Sequence, residues 1–500
     1  MSQTPPNLLM ILIDDLGWAD LGCFGSTFYE TPNLDRLAKG GLRFTEAYAS
    51  CPVCSPTRAS LMSGQYPARV GITNYIPGNA WGKLMGVPYF HELPETVTAL
   101  PQVLKGGGYA TYHVGKWHLG ETAERWPEAF GFDVNVGGCH WGAPKKGYFS
   151  PYGIATLEDG PDGEFLTDRL TEEALALLDR HCDSGDAAGR PFFLNLAHYT
   201  VHTPLQAPAE LVAKYEAKAE DMGIDQDAVL EEGELMPCLH KRDQRVLRRR
   251  VQSHPVYAAM VETMDRSVGR VVDRLEQLGL LEDTLIVFSS DNGGLSTAEG
   301  SPTCNTPLRE GKGWIEEGGN RVSQIAHWPA VIEAGGISAE PTTTPDLFAT
   351  FVEAAGLELP ADTEIDGVSL VPVLRGEAGF ERGAIFWHYP HYSNQGGVPS
   401  CAVRKGRWKL AEYFEDGRKT LFDVVGDPGE ERDRMDDEPE VAAELHTELV
   451  EWRASIEAKI PEVNPYYAEM VSGTRRVPNG AGLIDGKPVE LTGAIPGSDH

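Results

Sequence analysis

Three short apolar runs along the chain predict buried β-strands. Residues 8–13 are apolar without interruption, and residues 191–196 and 284–288 form similar runs. Runs of this length and character are typical of strands that are covered on both faces, as in a parallel sheet. Polar groups follow each run within a few residues, so they fall at the carboxyl ends of the predicted strands.

Between these runs, two segments carry apolar residues at the spacing of an amphipathic helix. The apolar positions are Leu166, Leu170, Ala174 and Leu177 in the first segment, and Met260, Met264, Val268, Val271 and Leu275 in the second. Buried strands that alternate with such helices predict an α/β fold, with a large, mainly parallel sheet sandwiched by helices. Ligands of these folds bind at the carboxyl ends of the strands.

Two regions depart from this pattern. Residues 206–252 are highly charged, first acidic and then basic, and are expected to form an insertion rather than part of the core. Beyond residue 376, short alternating runs predict a small antiparallel sheet, and a helix is expected at about 439–456. We therefore expect a larger domain over 1–375 and a C-terminal α+β subdomain over 376–500, whose tail from residue 465 is extended.

Composition and charge narrow the classes of function. A hydrophobic content of 41% is ordinary for a globular protein, and no apolar run approaches the roughly 18 residues of a membrane helix. The run at 8–13 is too short for the core of a signal peptide, so we expect a cytoplasmic location, or a periplasmic or secreted one if an export signal preceded it. A net charge of −31 argues against nucleic acid as a partner. The sequence does not indicate an oligomeric state.

Four oxygen donors follow two of the predicted strands. Asp14 and Asp15 follow the first strand, and Asp291 and Asn292 follow the strand at 284–288. Either pair alone is typical of a turn, because Asp, Asn and Gly dominate turns. Both pairs together indicate a cation site, since adjacent carboxylates repel each other unless a cation neutralises them. Ligands that are all oxygen favour calcium or magnesium over zinc.

A second cluster begins at Cys51 and reads Cys-Pro-Val-Cys-Ser-Pro-Thr-Arg. Cys51 and Cys54 have the C-x-x-C spacing of a redox motif or of half a zinc site. No second C-x-x-C occurs in the chain, and the sequence does not indicate the strand–C-x-x-C–helix opening of a small thioredoxin-like domain. The alternative interpretation is the motif Cys54-x-Pro56-x-Arg58, which a Ser-Gly pair follows at 63–64.

This motif resembles the signature of the formylglycine-dependent (type I) sulfatases of the alkaline phosphatase superfamily. The resemblance spans nearly the whole chain, and its further motifs start at Asp14, Thr31, Gly115, His202, Ser290 and Leu308. It implies an alkaline phosphatase-like fold, hydrolysis of sulfate esters, and a maturation enzyme that converts Cys54 into formylglycine. The aldehyde hydrates to a diol, one oxygen of which attacks sulfur and displaces the alcohol. The second hydroxyl then collapses to the aldehyde and expels sulfate, which a plain serine cannot do.

The resemblance also implies a role for each residue of the motifs. The expected ligands of Ca²⁺, which is preferred to Mg²⁺, are Asp14, Asp15, Asp291, Asn292 and the modified Cys54. The expected catalytic residues beside Cys54 are Arg58, Lys116, His118, His202 and Lys312. Arg58 and His118 are expected to hold or deprotonate the diol, and the others supply positive charge around the sulfate oxygens. Either His202 or Lys312 is expected to protonate the leaving oxygen.

Two aromatic stretches resemble those of bacterial sulfatases that desulfate polysaccharides, and aromatic rings, His and Asn suit sugars. The substrate-binding candidates are His140, Trp141, His388, His391 and Glu310. Trp387 and Tyr389 are equally consistent with a core at the domain junction. A sulfated carbohydrate is the expected substrate, with a galactose-type unit sulfated at O4 as the specific hypothesis. The basic run at 248–250 either attracts a polyanionic glycan, or forms a solvated helix face or an interface with a neighbouring subunit.

Two other functions remain open from the sequence. A phosphate or phosphonate monoester hydrolase of the same superfamily would need the same cation and oxygen nucleophile. A protein whose Cys54 stays unconverted would bind sulfated glycans without cleaving them.

Overall fold

The computed structural model describes residues 5–78, 80–184, 189–226, 228–475, 483–484 and 487–488. The strands of this described part are β1 Asn7–Ile13, β2 Leu42–Tyr48, β3 Ala110–Gly115, β4 Val134–Val136, β5 Phe192–Ala197, β6 Leu230–Leu235, β7 Arg245–Arg249, β8 Thr284–Ser290, β9 Arg321–His327, β10 Gly336–Ser338, β11 Thr342–Thr343, β12 Ile385–Tyr389, β13 Ser400–Lys405, β14 Trp408–Tyr413, β15 Lys419–Asp423, β16 Leu483–Ile484 and β17 Lys487–Pro488. The α-helices are α1 Pro32–Gly40, α2 Cys54–Ser63, α3 Pro67–Val70, α4 Leu100–Gly106, α5 Leu166–Asp183, α6 Ala209–Asp221, α7 Pro255–Gln277, α8 Glu317–Asn320, α9 Thr344–Ala354, α10 Val371–Leu374, α11 Pro439–Ser455 and α12 Tyr467–Val471.

The central strand β1 explains why its sequence is apolar throughout. Its neighbours β5 and β8 both run parallel to it. Leu9 and Ile11 face a core that is shared with α1, α5, α6 and α7, whereas Leu8 and Met10 face a second core that is shared with α2, α4 and α9. Because both faces of β1 are removed from water, every position favours an apolar side chain.

The large sheet has the strand order β10-β2-β9-β8-β1-β5-β3-β4, with β11 beside β2. Every pair of strands in it is parallel except the pairs that β9 makes with β2 and β8. The predicted α/β fold with a mainly parallel sheet between helices is therefore confirmed. Since β9 runs opposite to the others, its first residue lies at the edge where β1, β3, β5 and β8 end.

The smaller sheet is antiparallel, with the order β12-β13-β14-β15. On one face, Leu445 and Leu449 of α11 pack against Val403 of β13. On the other face, Trp387 packs against Tyr48 of β2. The predicted antiparallel sheet and the helix that follows it are confirmed, and this sheet is joined to the large one through buried aromatic contacts.

The expectation that residues 206–252 lie outside the core is wrong for their first part. Helix α6 buries Leu211 and Tyr215 in the core that it shares with α7. The second part is an antiparallel hairpin of β6 and β7. The expectation of a helix face at 248–250 is also wrong, because these arginines end a strand and Arg249 is buried. Both predictions were based on the high charge of this segment. In the structure, the charged residues lie on the exposed face of α6 and form ion pairs within the hairpin.

The tail departs from prediction at its start. Residues Tyr467–Val471 form the short helix α12, in which Met470 is buried against Trp81, so the expected extended tail is wrong there. Residues 476–482, 485–486 and 489–500 of the predicted tail lie outside the described residues. Among the helices that are described, none is long and apolar enough to cross a membrane.

Candidate active site

The edge of the large sheet where the parallel strands end brings together the motifs that the sequence scatters over about 300 residues. The groups are Asp14 and Asp15 after β1, Cys54 and Arg58 after β2, Lys116 and His118 after β3, His202 after β5, Asp291 and Asn292 after β8, and Lys312 before β9. Nearly all of these side chains are buried, and His202 is the partly exposed exception among them. The predicted metal and catalytic residues therefore form one cluster.

Cys54 is the first residue of helix α2, whose ten residues are all buried. The amino terminus of a helix carries partial positive charge, which favours an anionic group at this position. The Sγ atom lies 3.4 Å from Nδ1 of His118. Burial raises the pKa of the thiol, although Lys116 and Lys312 partly oppose this effect. The Sγ atom of Cys54 lies where the oxygen atoms of formylglycine would lie after conversion of this residue.

Three buried aspartates each pair with one buried cation. The pairs are Asp14 with Lys116 at 2.6 Å, Asp15 with Lys312 at 2.7 Å, and Asp291 with Arg58 at 2.8 Å. The three positive and three negative charges balance. A divalent cation would therefore leave the pocket with an excess of two positive charges, which suits an anionic ester even in a protein with a net charge of −31.

The donor set fits a hard cation. Oδ1 of Asp14 and Oδ1 of Asn292 are buried, and no hydrogen-bond partner for either is found in the described part of the chain. Ligand atoms of Asp14, Cys54 and Asp291 all lie within 4.8 Å of one another. Burial raises the pKa of Asp14 well above its usual range, and repulsion from Asp291 and Asp15 adds to this effect. Unpaired oxygens among crowded carboxylates are the arrangement that a bound cation stabilises.

The charge states at the cleft follow from burial and from neighbouring charges. Burial opposes ionisation of Asp15, but Lys312 and His202 outweigh it and hold the pKa of Asp15 below its usual range. Asp15 in turn keeps the pKa of Lys312 above its usual range despite burial. Burial and Lys312 lower the pKa of His202 to about 4, and burial with Lys116 lowers the pKa of His118 well below its usual range. At neutral pH, Lys312 is charged and both imidazoles are neutral.

The hydrogen bonds of the two histidines assign their tautomers. Nε2 of His118 donates to the carbonyl of Ile76, which leaves Nδ1 as an acceptor that faces Cys54. Nδ1 of His202 donates to the carbonyl of Thr203 at 2.7 Å, which leaves Nε2 facing Asp15 at 3.7 Å. Each imidazole thus presents an acceptor nitrogen to the cleft.

The backbone is strained at two of these positions. Asp15 has φ of 64° and His118 has φ of 60°, a left-handed conformation that non-glycine residues rarely adopt. The backbone N–H of Asp15 donates to Asp291, and that of His118 donates to the carbonyl of Cys139. Strained residues held by surrounding hydrogen bonds are concentrated at functional sites, and the sequence motifs do not reveal them.

Among the substrate-binding candidates, His140 and Trp141 lie beside the cluster. Gly142 packs against His118 so closely that a Cβ atom on it would lie 2.4 Å from the imidazole. Trp141 is partly exposed, with the ammonium group of Lys145 lying 5.8 Å from the centre of its indole ring. The ring of His140 stacks on that of Trp126.

The other three substrate-binding candidates, His388, His391 and Glu310, make their contacts away from the cluster. His388 and His391 are buried, and their Nε2 atoms bond to the carbonyl of Lys459 and to Thr73. Neither imidazole is therefore presented at the surface of the cleft. Glu310 turns its carboxylate to Arg248 and lines a separate groove of about 880 Å³, whose lining contains none of the cluster residues. Trp387 and Tyr389 are buried, as the core interpretation expects.

Several residues near the cleft were not singled out from the sequence. Oγ of Ser290 accepts a hydrogen bond from the backbone N–H of Leu16 and donates to the carbonyl of Asn292, which links the two acidic loops. The partly exposed Tyr75 and the exposed Glu299 lie in loops that are connected to the neighbours of Cys54 and Lys312. Single polar residues in loops have no periodicity, so no sequence signal distinguishes them from solvated ones.

Comparison with known proteins agrees with this geometry. The family model described as Sulfatase matches residues 6–357, and the one described as the C-terminal part of N-sulphoglucosamine sulphohydrolase matches residues 311–455. The chain is 35% identical over 392 residues to N-acetylgalactosamine-6-sulfatase of Sus scrofa, which is 74% of this chain and 66% of that enzyme. It is 30% identical over 528 residues to a sulfatase of Formosa agariphila, with 89% of this chain and 88% of that protein covered.

A solved structure shares the architecture. The chain superposes on Ps i-CgsB in complex with k-i-k-neocarrahexaose with a TM-score of 0.72 and 28% sequence identity. The superposition covers 93% of this chain and 97% of that one. The overall architecture of this chain therefore also occurs in a protein that was solved in complex with k-i-k-neocarrahexaose.

Proposed function

This chain belongs to the sulfatase family and hydrolyses sulfate esters, and we propose that its substrate is a galactose-type sugar sulfate and its metal ion Ca²⁺. The observation that carries the proposal is the position of Cys54 beside three aspartates, three cations and two unpaired oxygens. A phosphate or phosphonate hydrolase has lower priority, because the relatives with substantial coverage are named sulfatases.

The metal would be held by Asp14, Asp15, Asp291 and Asn292. When bound, it would neutralise these carboxylates and polarise the sulfate group. We propose calcium because all the protein ligands are oxygens and because the unpaired oxygens belong to two different loops. Magnesium demands near-ideal octahedral geometry and keeps several waters, whereas calcium accepts irregular sets of protein oxygens.

Residue 54 supplies the nucleophile after conversion to formylglycine by a maturation enzyme. Nδ1 of His118 faces this residue and accepts its proton, since Nε2 is committed to the carbonyl of Ile76. Arg58 donates to Asp291 and to the carbonyl of Lys116, which fixes a permanent positive charge next to residue 54. Burial of this charge strengthens its interaction with the negative charge that develops on the sulfate oxygens.

The leaving oxygen takes its proton from Lys312, which is charged at neutral pH, or from His202, whose Nε2 is an acceptor at neutral pH and would first have to take up a proton. Both side chains lie next to Asp15, and His202 is the partly exposed residue of the cluster. Lys116, by contrast, is fully buried against Asp14 and serves to hold charge rather than to meet the alcohol. The two candidates are distinguishable by experiment, because only the proton donor matters more for a poor leaving group than for a good one.

The sugar assignment rests on two comparisons. One relative is named an N-acetylgalactosamine-6-sulfatase, and one similar structure holds an oligosaccharide. The partly exposed Trp141 beside His118 provides a ring on which a sugar face can stack. We propose a galactose-type unit with the sulfate on O4, and the O6 ester is the competing substrate.

The test uses protein produced with a maturation enzyme, in which mass analysis of the peptide containing Cys54 shows the aldehyde. Sulfate release is measured from galactose and N-acetylgalactosamine esters sulfated at O4 or at O6, with phenyl phosphonate as the comparison. Faster release from the O4 esters supports the proposal. Faster release from the O6 esters would show that the sulfate position is O6 rather than O4. No sulfate release by aldehyde-bearing protein from any sugar ester would contradict the proposed substrate class.

The proton donor and the metal have their own tests. Lys312→Ala and His202→Ala are compared on a sugar sulfate and on 4-nitrophenyl sulfate, and the donor's variant should lose at least about tenfold more on the sugar. For the metal, Ca²⁺ should raise the melting temperature of the protein. Asp291→Asn should abolish this rise, whereas Asp346→Asn, which alters a buried aspartate paired with Arg382 away from the cluster, should keep it.

A further inference from the structure

Three loops lie next to the catalytic cluster, and the chemistry above uses only one group of them, the carbonyl of Ile76. We call them the rim, and they comprise residues 74–78, 298–301 and 393–397. The backbone N–H of Ile76 donates to Ser55, the neighbour of Cys54, at 3.1 Å. Gly313, the neighbour of Lys312, lies so close to the third loop that a Cβ atom on it would be 1.9 Å from Oγ of Ser393. The rim therefore touches the segments that carry the nucleophile and the catalytic lysine.

Two polar side chains of the rim are fixed against each other. Nδ2 of Asn394 donates to the hydroxyl of Tyr75 at 2.5 Å, and the carbonyl of Asn394 accepts from Nζ of Lys241 at 3.1 Å. Both Tyr75 and Asn394 are partly exposed. The segment between β6 and β7 thus holds the rim in place through Lys241, and a partly exposed ring and a partly exposed amide lie in loops that contact the catalytic segments. This is the combination of surfaces that a sugar needs.

Glu299, in the second loop of the rim, adds a negative charge. Glu299 is exposed and has φ of 54°, and its carboxylate accepts a hydrogen bond of 2.7 Å from Nε2 of Gln395. Gln395 is itself held by Oγ of Ser393 at 2.6 Å. Ser393 lies against Gly313, the neighbour of Lys312, so these contacts connect Glu299 to the segment that carries the catalytic lysine. An exposed carboxylate is therefore held in a loop next to the cluster.

We infer that the rim binds the sugar that carries the sulfate, with Tyr75 and Asn394 in contact with it, and that Glu299 selects saccharides with a single sulfate near the cleaved bond. The inference rests on the proposed function for the identity of the ligand. A carboxylate accepts hydrogen bonds from the free hydroxyl groups of a sugar. It repels a second sulfate on the same or the adjacent sugar, since two like charges several ångströms apart at a half-exposed site disfavour binding by about tenfold.

Binding rather than turnover tests this inference, so that it is judged separately from the proposed chemistry. Full-length protein made without the maturation enzyme, in which Cys54 stays a thiol, is loaded with Ca²⁺. Its Kd is measured for an O4-monosulfated galactoside and for the same galactoside with a second sulfate. Glu299→Gln should lower the ratio of the disulfated to the monosulfated Kd about tenfold. Tyr75→Ala and Asn394→Ala should each weaken binding of the monosulfated sugar severalfold.

Glu457→Gln is the matched control, because Glu457 is also exposed and has φ of 51°, and it lies outside the rim. It removes the same charge from the same kind of backbone and should leave the ratio unchanged. A ratio that Glu299→Gln does not change, or that Glu457→Gln changes equally, overturns the inference. Failure of both sugars to bind overturns it too. Sulfate release by the converted protein reports on the proposed function alone.

Discussion

The guanidinium of Arg248 donates to the carboxylate of Glu310 at 2.8 Å, and this contact joins the hairpin of β6 and β7 to the loop that carries Lys312. Glu310 has φ of 59°, and its carbonyl accepts hydrogen bonds from Ser296 and Asn305. The pair is mostly buried. Glu310 thus supports the loop that carries Lys312 and does not point toward the cluster.

Removing one partner of this pair should destabilise the protein. Arg248→Met leaves the carboxylate of Glu310 buried without its partner, so the free energy of unfolding should fall by about 3 kcal/mol. Denaturant titration measures the change. The double variant Arg248→Met with Glu310→Gln should lose less than the sum of the single variants. Arg250→Met is the control, because the partner of Arg250 is the exposed Glu231, and it should cost less than about 1 kcal/mol. Equal losses for Arg248→Met and Arg250→Met would contradict the prediction.

The two cysteines of the C-x-x-C pair should differ completely in function. Cys54→Ala should lower sulfate release at least about 10³-fold, because it removes the nucleophile and leaves the rest of the site in place. Cys51 packs among Val53 and Tyr389 and is not one of the cluster residues, so Cys51→Ala should retain most of the activity. Both variants are compared by sulfate release and by melting temperature. Equal loss in both variants at unchanged melting temperature would instead favour the redox interpretation of the pair.

Gly142 should be required for activity although it carries no chemistry. An added Cβ atom would lie 2.4 Å from His118, and the backbone of Gly142 is not in the left-handed region, so Gly142→Ala should fold and displace the imidazole. A displacement of about 1 Å should lower kcat on the order of 100-fold. Gly106→Ala serves as the control, because no atom lies within 4 Å of the added methyl. If Gly142→Ala were as active as Gly106→Ala, the loop that contains Gly142 would move instead of the imidazole of His118.

Asp265 should make stability depend on pH. It accepts hydrogen bonds from the backbone N–H of Leu34 and from the side chain of Asn33 at the start of α1, and burial raises its pKa to about 6. The folded value lies above the unfolded value of about 3.9, so folding favours the protonated form. Its contribution to stability is therefore complete below about pH 4 and is lost as the pH rises through about 6.

Asp265→Asn remains neutral throughout this range. The free energy of unfolding of the variant, minus that of the parent protein, should therefore rise by about 3 kcal/mol between pH 4 and pH 7.5. Urea titrations at each pH measure the difference. A difference that stays flat or falls would show that Asp265 ionises in the folded protein as readily as in the unfolded chain.

The sequence by itself determined the parts of this protein that follow from periodicity and from contiguous motifs. The apolar runs became β1, β5 and β8 because both faces of a central parallel strand are buried. The polar groups after them met at one edge, since parallel strands end on the same side. Cys54 at the start of a buried helix followed from its motif and from Gly64, which ends that helix with φ of 69°.

Only the tertiary structure decided what depends on contacts between distant segments. The tautomer of His118 is set by the carbonyl of Ile76, and the direction of Glu310 by Arg248, 62 residues away. The burial of His388 and the exposure of Glu299 depend on how two sheets and a charged hairpin pack together. Such side chains occupy loops without periodicity, and their role is fixed by long-range neighbours. For this reason the catalytic and metal-binding residues could be predicted from the sequence. The rim, which we infer to bind the sugar, could not.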